Sequence, residues 1–375
     1  MVKKIVSSVS KLGYQKIAKP LMFRREPDAV HKGLIRTAKG VQKMPGVRSL
    51  PKLWSYTNAM LETEVMGMQF RNPVGLSAGF DKAIEMPSIM RNVGFGWMTG
   101  GSVTWGDYEG NAGAWFHRLP KSKSLVVNAG LPSEGTPVVS ERTRTYDMRL
   151  FESFPLDVSV AKTNSEISVG DKAGVKDYCK SLEMFNTIDQ VGMLEINISC
   201  PNTFGGEPFT TPSRLEKLLV AVDALELVKP VIIKMPINLP LSEFDALLAV
   251  VASHKVQGVA IGNLLKDRKL AKLSDPLPES VKGNLSGAPN KDITTELVRR
   301  AYTQYGDKLV IIGIGGIMSA EDAYEKIKAG ASLVALITGL IYEGPQLVGD
   351  INRGLVRLLK KDGYSCVSDA VGTAA

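Results

Sequence analysis

Cysteine and histidine are scarce in this chain, with three of each among 375 residues. The cysteines, Cys179, Cys200 and Cys366, form no CxxC pair. That excludes a disulfide framework and a structural zinc site, and it fits a reducing compartment. No metal site is expected. Long apolar runs are missing too. The longest, from Ala329 to Ile341, falls short of the roughly 18 residues that a bilayer span needs, so no integral membrane helix is expected. Core-forming residues are plentiful, with 44% apolar and 22% charged, and this composition excludes wholesale disorder.

Acidic residues are nearly absent from the first sixty positions. Residues 1–60 hold thirteen lysines and arginines against only Glu26 and Asp28, a net of +11. The whole chain is +8, so the remainder is net −3 and the basic excess belongs to an N-terminal appendage. Ile5, Val9 and Leu12 fall at helical spacing, and Val30, Leu34, Ala38 and Val41 resume it after Pro27, with Asp28 near the second start. Two basic amphipathic helices suit a membrane surface, where each lysine or arginine contributes about 1 kcal/mol of attraction. A solvated basic face packed on the main body is the alternative. Nucleic acid is not expected as a partner, because aromatic residues are not interleaved with the charges. The segment has no continuous apolar core of a signal peptide.

From residue 70 onward, short apolar β-rich runs alternate with helical stretches, the signature of parallel α/β architecture. Strands are expected at 74–77, 96–100, 156–160, 194–198, 231–234, 258–261, 309–313 and 333–337, with helices such as 212–227 and 319–329 between them. Eight such strands favour closure into a (β/α)8 TIM barrel. The length suits a barrel of about 250 residues with a small N-terminal helical extension. The division is placed at 1–60 and 61–375. Segment 105–154 is too long for one strand–helix unit and reads as a lid or binding loop.

Active sites of such barrels lie at the C-terminal strand ends, so the residues there are the candidates. They include Ser77 to Lys82, Asn197 to Asn202, Lys234, Gly262-Asn263, Gly313-Ile314-Gly315-Gly316 and Thr338-Gly339. The last two loops suit a phosphate cradled on backbone N–H groups, although the glycine run alone could be a tight turn. Lys82 and Lys234 at one barrel mouth could stabilise electron density arriving on a flavin or a carbonyl. Cys200 is the candidate base, against the ordinary reading of a lone cysteine as an inert buried residue. His31, His117 and His254 stand at no expected strand end, which excludes a nucleophilic triad.

The runs Ala78-Gly79-Phe80-Asp81-Lys82, Asn197-Ile198-Ser199-Cys200-Pro201-Asn202-Thr203, Asn284-Leu285-Ser286-Gly287-Ala288-Pro289 and Ile311-Ile312-Gly313-Ile314-Gly315-Gly316-Ile317 occur in an order that resembles the dihydroorotate dehydrogenase family. The resemblance implies an FMN-containing barrel that oxidises dihydroorotate to orotate. By motif, it implies that Ala78, Gly79, Lys82, Ser102, Ser159, Asn197, Lys234, Gly262, Gly287, Gly315, Gly316, Thr338 and Gly339 contact FMN. It likewise assigns Lys82, Asn128, Gly130, Leu131, Asn197, Asn202 and Asn263 to the substrate, with Cys200 removing the C5 proton. The stretch Glu26-Pro27-Asp28-Ala29-Val30-His31 looks like the quinone-reducing, membrane-associated class, and it puts His31 and Arg118 near a quinone. The implied location is the cytoplasmic face of a membrane, the inner one if the source is bacterial, with a soluble cytoplasmic protein as the alternative.

The chain departs from the family pattern at four places. A cysteine stands where the quinone class has serine. Ser159 replaces an asparagine, and Leu264 replaces a polar residue. At Val126-Val127-Asn128-Ala129-Gly130, Asn128 supplies the substrate asparagine only if one residue is gapped; without the gap Val127 takes that place. The competing readings are an FMN barrel acting on another small ene or dihydropyrimidine substrate, an RNA-acting flavin barrel such as a dihydrouridine synthase, and a non-catalytic flavin-binding module.

Overall fold

The computed structural model describes residues 2–42, 44, 46–200, 206–207 and 209–375. Thirteen strands are described: β1 (Thr63–Val65), β2 (Met68–Phe70), β3 (Val74–Leu76), β4 (Trp97–Val103), β5 (Phe116–Leu119), β6 (Ser124–Val127), β7 (Leu156–Val160), β8 (Met193–Asn197), β9 (Val231–Met235), β10 (Gly258–Ile261), β11 (Asn284–Gly287), β12 (Val310–Ile314) and β13 (Leu333–Leu336). Eight of them close a parallel barrel in the order β3-β4-β7-β8-β9-β10-β12-β13 and back to β3. Each coincides, within two or three residues at its ends, with one of the eight expected strands. Strands buried on both faces carry near-continuous apolar runs, which is why these were legible.

Alternation divides those runs between two cores. Met193, Ile232, Ala260, Ile312 and Leu333 point into the barrel with Trp97, whereas Val158, Leu194, Ile196, Ile233 and Val334 face the helices. Gly75 makes room for Trp97: a Cβ on it would lie 2.1 Å from the indole. The hairpin β1–β2 closes the N-terminal end of the barrel, with Val65 and Phe70 joining the inner cluster. Its Met66-Gly67 turn has φ of 51° and 73°, the two positive values of a type I′ turn.

Segment 105–154 is more than a loop. β5 and β6 form an antiparallel hairpin, and β11 adds to β6 with Asn284 opposite Val127. This three-stranded sheet sits at the barrel mouth, followed by the helix Thr136–Arg144. The sequence reading missed these four-residue strands: β11 lies more than a hundred positions from its partner β6, and the β5–β6 hairpin is too short to show a clear alternation. The helix expected at 212–227 ends earlier, spanning Pro212–Asp223. The one at 319–329 spans Ala320–Lys328, capped by the Ser319 side chain accepting from the Asp322 N–H.

The N-terminal segment is helical, and its first helical stretch is longer than expected. Helix Val2–Gly13 runs through a π turn, Tyr14–Ala18, into Lys19–Phe23, and Pro27–Gln42 follows. The π turn has a consequence in pattern. Apolar residues continue as Ile17 and Leu21, five and then four positions after Leu12, and the extra residue of the π turn keeps both on the stripe begun by Ile5 and Val9. The segment docks on the barrel through Ser7 Oγ to Asp350 (2.6 Å), Tyr14 OH to the Ile341 carbonyl (2.5 Å) and the Trp115 N–H to Asp28 (3.1 Å). Ile35, Ala38 and Val41 pack against the main core.

Candidate active site

The C-terminal ends of the barrel strands surround two cavities that share Ala78, Lys234, Asn263, Leu264, Ser286 and Thr338 as a common wall. The inner cavity is built on glycine. Gly262, Gly287, Gly315 and Gly316 have φ of 149°, 91°, 101° and 70°, the region that favours glycine. A Cβ on Gly287 would lie 2.4 Å from the Lys123 carbonyl, and one on Gly339 would lie 2.2 Å from the Ile317 carbonyl. Side chains are therefore excluded there, leaving a smooth backbone cradle of the kind that admits phosphate. Asn290 also lines this cavity, and its buried Oδ1 has no hydrogen-bond partner among the described residues.

The outer cavity carries the polar groups. Ser159 and Ser102 hydroxyls lie 2.7 Å apart, and Asn197 Nδ2 donates to Ser102 Oγ at 2.8 Å. Asn197 Oδ1 accepts from the Ser199 N–H at 3.2 Å, while Asn263 Nδ2 donates to both the carbonyl and the hydroxyl of Ser199 at 2.6 Å. Ser199 thus ties two strand ends together and fixes both amides. Lys234 is 5% exposed and lines both cavities; its ammonium lies 3.5 Å from Glu195 Oε1. Such an ammonium, together with the Asn290 acceptor and the glycine cradle, fits a large polar cofactor with an anionic end.

Lys82 Nζ donates to the Gly79 carbonyl at 2.8 Å, and its pKa is pulled down to about 8 by burial, against the opposing charges of Cys200, Asp28 and Asp81. Cys200 lines the same outer cavity, near enough for the two groups to interact. From there the cavity passes between Phe80 and Phe116 to Pro27, Val30, His31 and Leu34 of the helix Pro27–Gln42. The His31 ring meets Phe80 and Phe116 edge-on at 5.7 and 5.5 Å. Burial, then the charges of Lys82 and Lys32, lower its pKa to about 4, so it is neutral at pH 7. Arg118 lines the passage from the opposite side, donating to the Arg25 carbonyl at 2.7 Å with its guanidinium over the Phe23 ring.

A family model described as dihydroorotate dehydrogenase matches residues 60–359, most of this barrel. The chain belongs to the dihydroorotate dehydrogenase family. Beyond the matched span, similarity extends over the N-terminal helices. The chain is 34% identical over 361 residues to the dihydroorotate dehydrogenase (quinone) of Natronomonas pharaonis, covering 96% of this chain and 99% of that one. It is 32% identical over 357 residues to the mitochondrial dihydroorotate dehydrogenase (quinone) of Mus musculus, covering 92% and 86%. A crystal structure of the Eimeria tenella dihydroorotate dehydrogenase in complex with ferulenol superimposes with a TM-score of 0.81 at 25% identity, over 92% of this chain and 95% of that one.

Nearly all the residues singled out from dehydrogenase motifs come together here. Ala78, Gly79, Lys82, Ser102, Asn197, Lys234, Gly262, Gly287, Gly315, Gly316, Thr338 and Gly339 line one or both cavities, as do Cys200, Gly130, Leu131, Asn263, His31 and Arg118. Ser159 lies behind Ser102. Asn202 falls outside the described residues. Asn128 does not line either cavity: its Oδ1 accepts from Asn111 Nδ2 at 3.3 Å, and Val127 occupies the wall instead. In this structure the cavity wall is thus formed by Val127, as in the ungapped reading, and not by Asn128. Val127 ends β6 in register with Asn284 of β11, and strand alternation turns its successor away from the cavity. Leu264 lines both cavities where a polar residue was expected.

Sequence reasoning missed three supporting residues. Ser286 lines both cavities and its Oγ lies 3.0 Å from Thr338 Oγ1. Asn290 donates to the Asn263 carbonyl at 2.9 Å, and Asn164 donates to the Gly130 carbonyl at 2.8 Å, holding the turn before Leu131. Ser286 stood inside a quoted motif and Asn290 immediately after it. Asn164 had no such signal.

Proposed function

We propose that this chain oxidises dihydroorotate to orotate on a bound FMN and passes the electrons to a quinone at a membrane surface. The observation that carries this reading is the continuity of one cavity: Cys200 and Lys234 at the barrel mouth share it with Val30, His31 and Leu34 of an N-terminal helix. A soluble electron acceptor would have no use for an apolar passage roofed by a basic amphipathic segment.

FMN, when bound, supplies the hydride acceptor and the relay of electrons to the quinone. The glycine cradle of Gly262, Gly287, Gly315, Gly316 and Gly339 would hold its phosphate end, together with Thr338. Asn197, Ser102 and Lys234 would hold the ring end, with Ser159 buttressing Ser102. The Lys82 ammonium attracts the carboxylate of the substrate, and Asn263, fixed by Ser199, orients the ring. Cys200 accepts the C5 proton, its thiolate favoured by the neighbouring ammonium. Phe80, Phe116 and neutral His31 line a path that excludes water from the reacting centre and admits an apolar acceptor. His31 and Arg118 offer polar contacts to quinone carbonyls.

The outer surface of the segment supports the membrane reading. Ile5, Val9, Leu12, Ile17 and Leu21 form one stripe, each 56–65% exposed, flanked by lysines. No helix among the described residues is long and apolar enough to cross a membrane, so attachment is peripheral on this reading. The test is spectroscopic. Anaerobic dihydroorotate should bleach the bound flavin, and a short-chain quinone should restore its colour. Flavin that dihydroorotate does not bleach rejects the substrate, and colour restored by a soluble dye but not by quinone rejects the acceptor.

A further inference from the structure

One layer below the cavity floor, the barrel interior is acidic. Asp157 precedes Ser159 by two residues on β7 and Glu195 precedes Asn197 by two on β8, so both point inward beneath the groups that line the site. They are 1% exposed each. Thr99 Oγ1 donates to Asp157 Oδ2 at 2.9 Å, and Lys234 Nζ lies 3.5 Å from Glu195 Oε1. Asp157 Oδ1 and Glu195 Oε1 make no hydrogen bond among the described residues. The remaining inward neighbours, Trp97, Ile232, Ala260, Ile312 and Ala335, carry no titratable group. Two carboxyl groups and one ammonium therefore share a buried pocket, where isolated charges are costly and each interacts strongly with its neighbours. Packing alone does not require them, since apolar residues of similar volume commonly replace buried ion pairs without loss of stability.

We propose that Glu195 is a positioning residue acting through Lys234: it sets the net charge presented to the flavin and thereby lowers the flavin's reduction potential. The inference rests on the FMN reading above. A bound flavin that took up hydride would gain one negative charge, and Lys234 is the ammonium that would face it. An unopposed ammonium would favour that state strongly; the Glu195 carboxylate offsets it and keeps electrons mobile toward the quinone. Asp157 is held by Thr99, and Glu195 is the carboxylate beside Lys234. Burial, followed by the Glu195 charge, holds the Asp157 carboxyl well above the usual carboxylate range.

The experiment is a dye-equilibrated reductive titration of the purified holoenzyme, with flavin content measured on the same samples. Glu195→Gln should raise the ratio of reduced to oxidised flavin at a fixed poise at least tenfold, a shift of about 30 mV for a two-electron couple. Asp157→Asn, which leaves the Glu195–Lys234 pair in place, should change that ratio less than threefold. Should Glu195→Gln fail to fold, Glu195→Met reads the same quantity with an apolar chain in the pocket. Normal flavin content with a ratio within threefold of wild type in the Glu195 variant overturns the inference alone. So does an equal shift in Asp157→Asn. Protein that takes up no FMN at all overturns the cofactor reading and this inference with it.

Discussion

At the residue scale, three side chains carry separable consequences. Cys200→Ala should retain flavin yet slow its reduction by dihydroorotate by roughly 10²–10⁴, the usual contribution of a positioned base. Stopped-flow reduction at the wild-type rate would remove Cys200 from the chemistry. Asn128→Ala should leave orotate affinity within roughly twofold, because its amide pairs with Asn111 outside the cavity; a tenfold loss in a flavin-absorbance titration would restore the gapped register. Lys82 makes orotate binding pH-dependent. Its ammonium persists below about pH 8 and is lost above it, so affinity should fall as pH rises through 8. The fold does not share that loss. Between pH 8 and the ordinary lysine pKa of about 10.4, the unfolded chain binds a proton that folded Lys82 does not, so this residue's term makes stability rise with pH there. Orotate affinity that is flat from pH 7 to 9.5 would separate Lys82 from the substrate carboxylate.

At the scale of elements, the helix Pro27–Gln42 and the long N-terminal helix play different parts. The first carries His31 into the passage, held neutral by burial and by Lys82. Its depressed pKa means that the undocked helix binds a proton the docked one does not, so docking should weaken as pH falls from about 6.5 through 4. Hydrogen exchange along residues 27–42 should show it, and His31→Gln should flatten the dependence. The second presents the apolar stripe that the π turn Tyr14–Ala18 keeps in line. Replacing Ile17 and Leu21 by glutamate should abolish binding to anionic vesicles while leaving flavin reduction intact; unchanged vesicle binding would place the contact elsewhere. The β5–β6–β11 sheet is a third element with a job of its own, since it puts Leu125, Val127 and Ser286 on the cavity wall.

For the whole molecule, charge and cavity are arranged on the same side. The +11 segment covers the barrel mouth, so attachment to an anionic membrane would bring the passage to the quinone pool. Vesicle binding should weaken with salt, because exposed charges are screened over about 8 Å at physiological ionic strength. Removing residues 1–42 should leave a yellow barrel whose flavin dihydroorotate still bleaches, with most quinone reduction lost. Full quinone turnover in the truncated protein would make the helices dispensable to the acceptor.

The barrel was legible in the sequence because each of its eight strands is buried on both faces and therefore reads as a local apolar run. The glycine loops, the two lysines and Cys200 were legible for a related reason: strand ends of a barrel converge, so position along the chain already implies a shared site. The basic helices were visible through periodicity and charge, both local properties. Tertiary structure alone decided the rest. Whether Val127 or Asn128 faces the cavity depends on pairing with β11, more than a hundred residues away. The acidic layer of Asp157 and Glu195 looked like ordinary strand residues until closure turned them inward beneath Asn197 and Lys234. Local pattern records burial and period, but only the folded chain brings distant strands into register and makes their side chains neighbours.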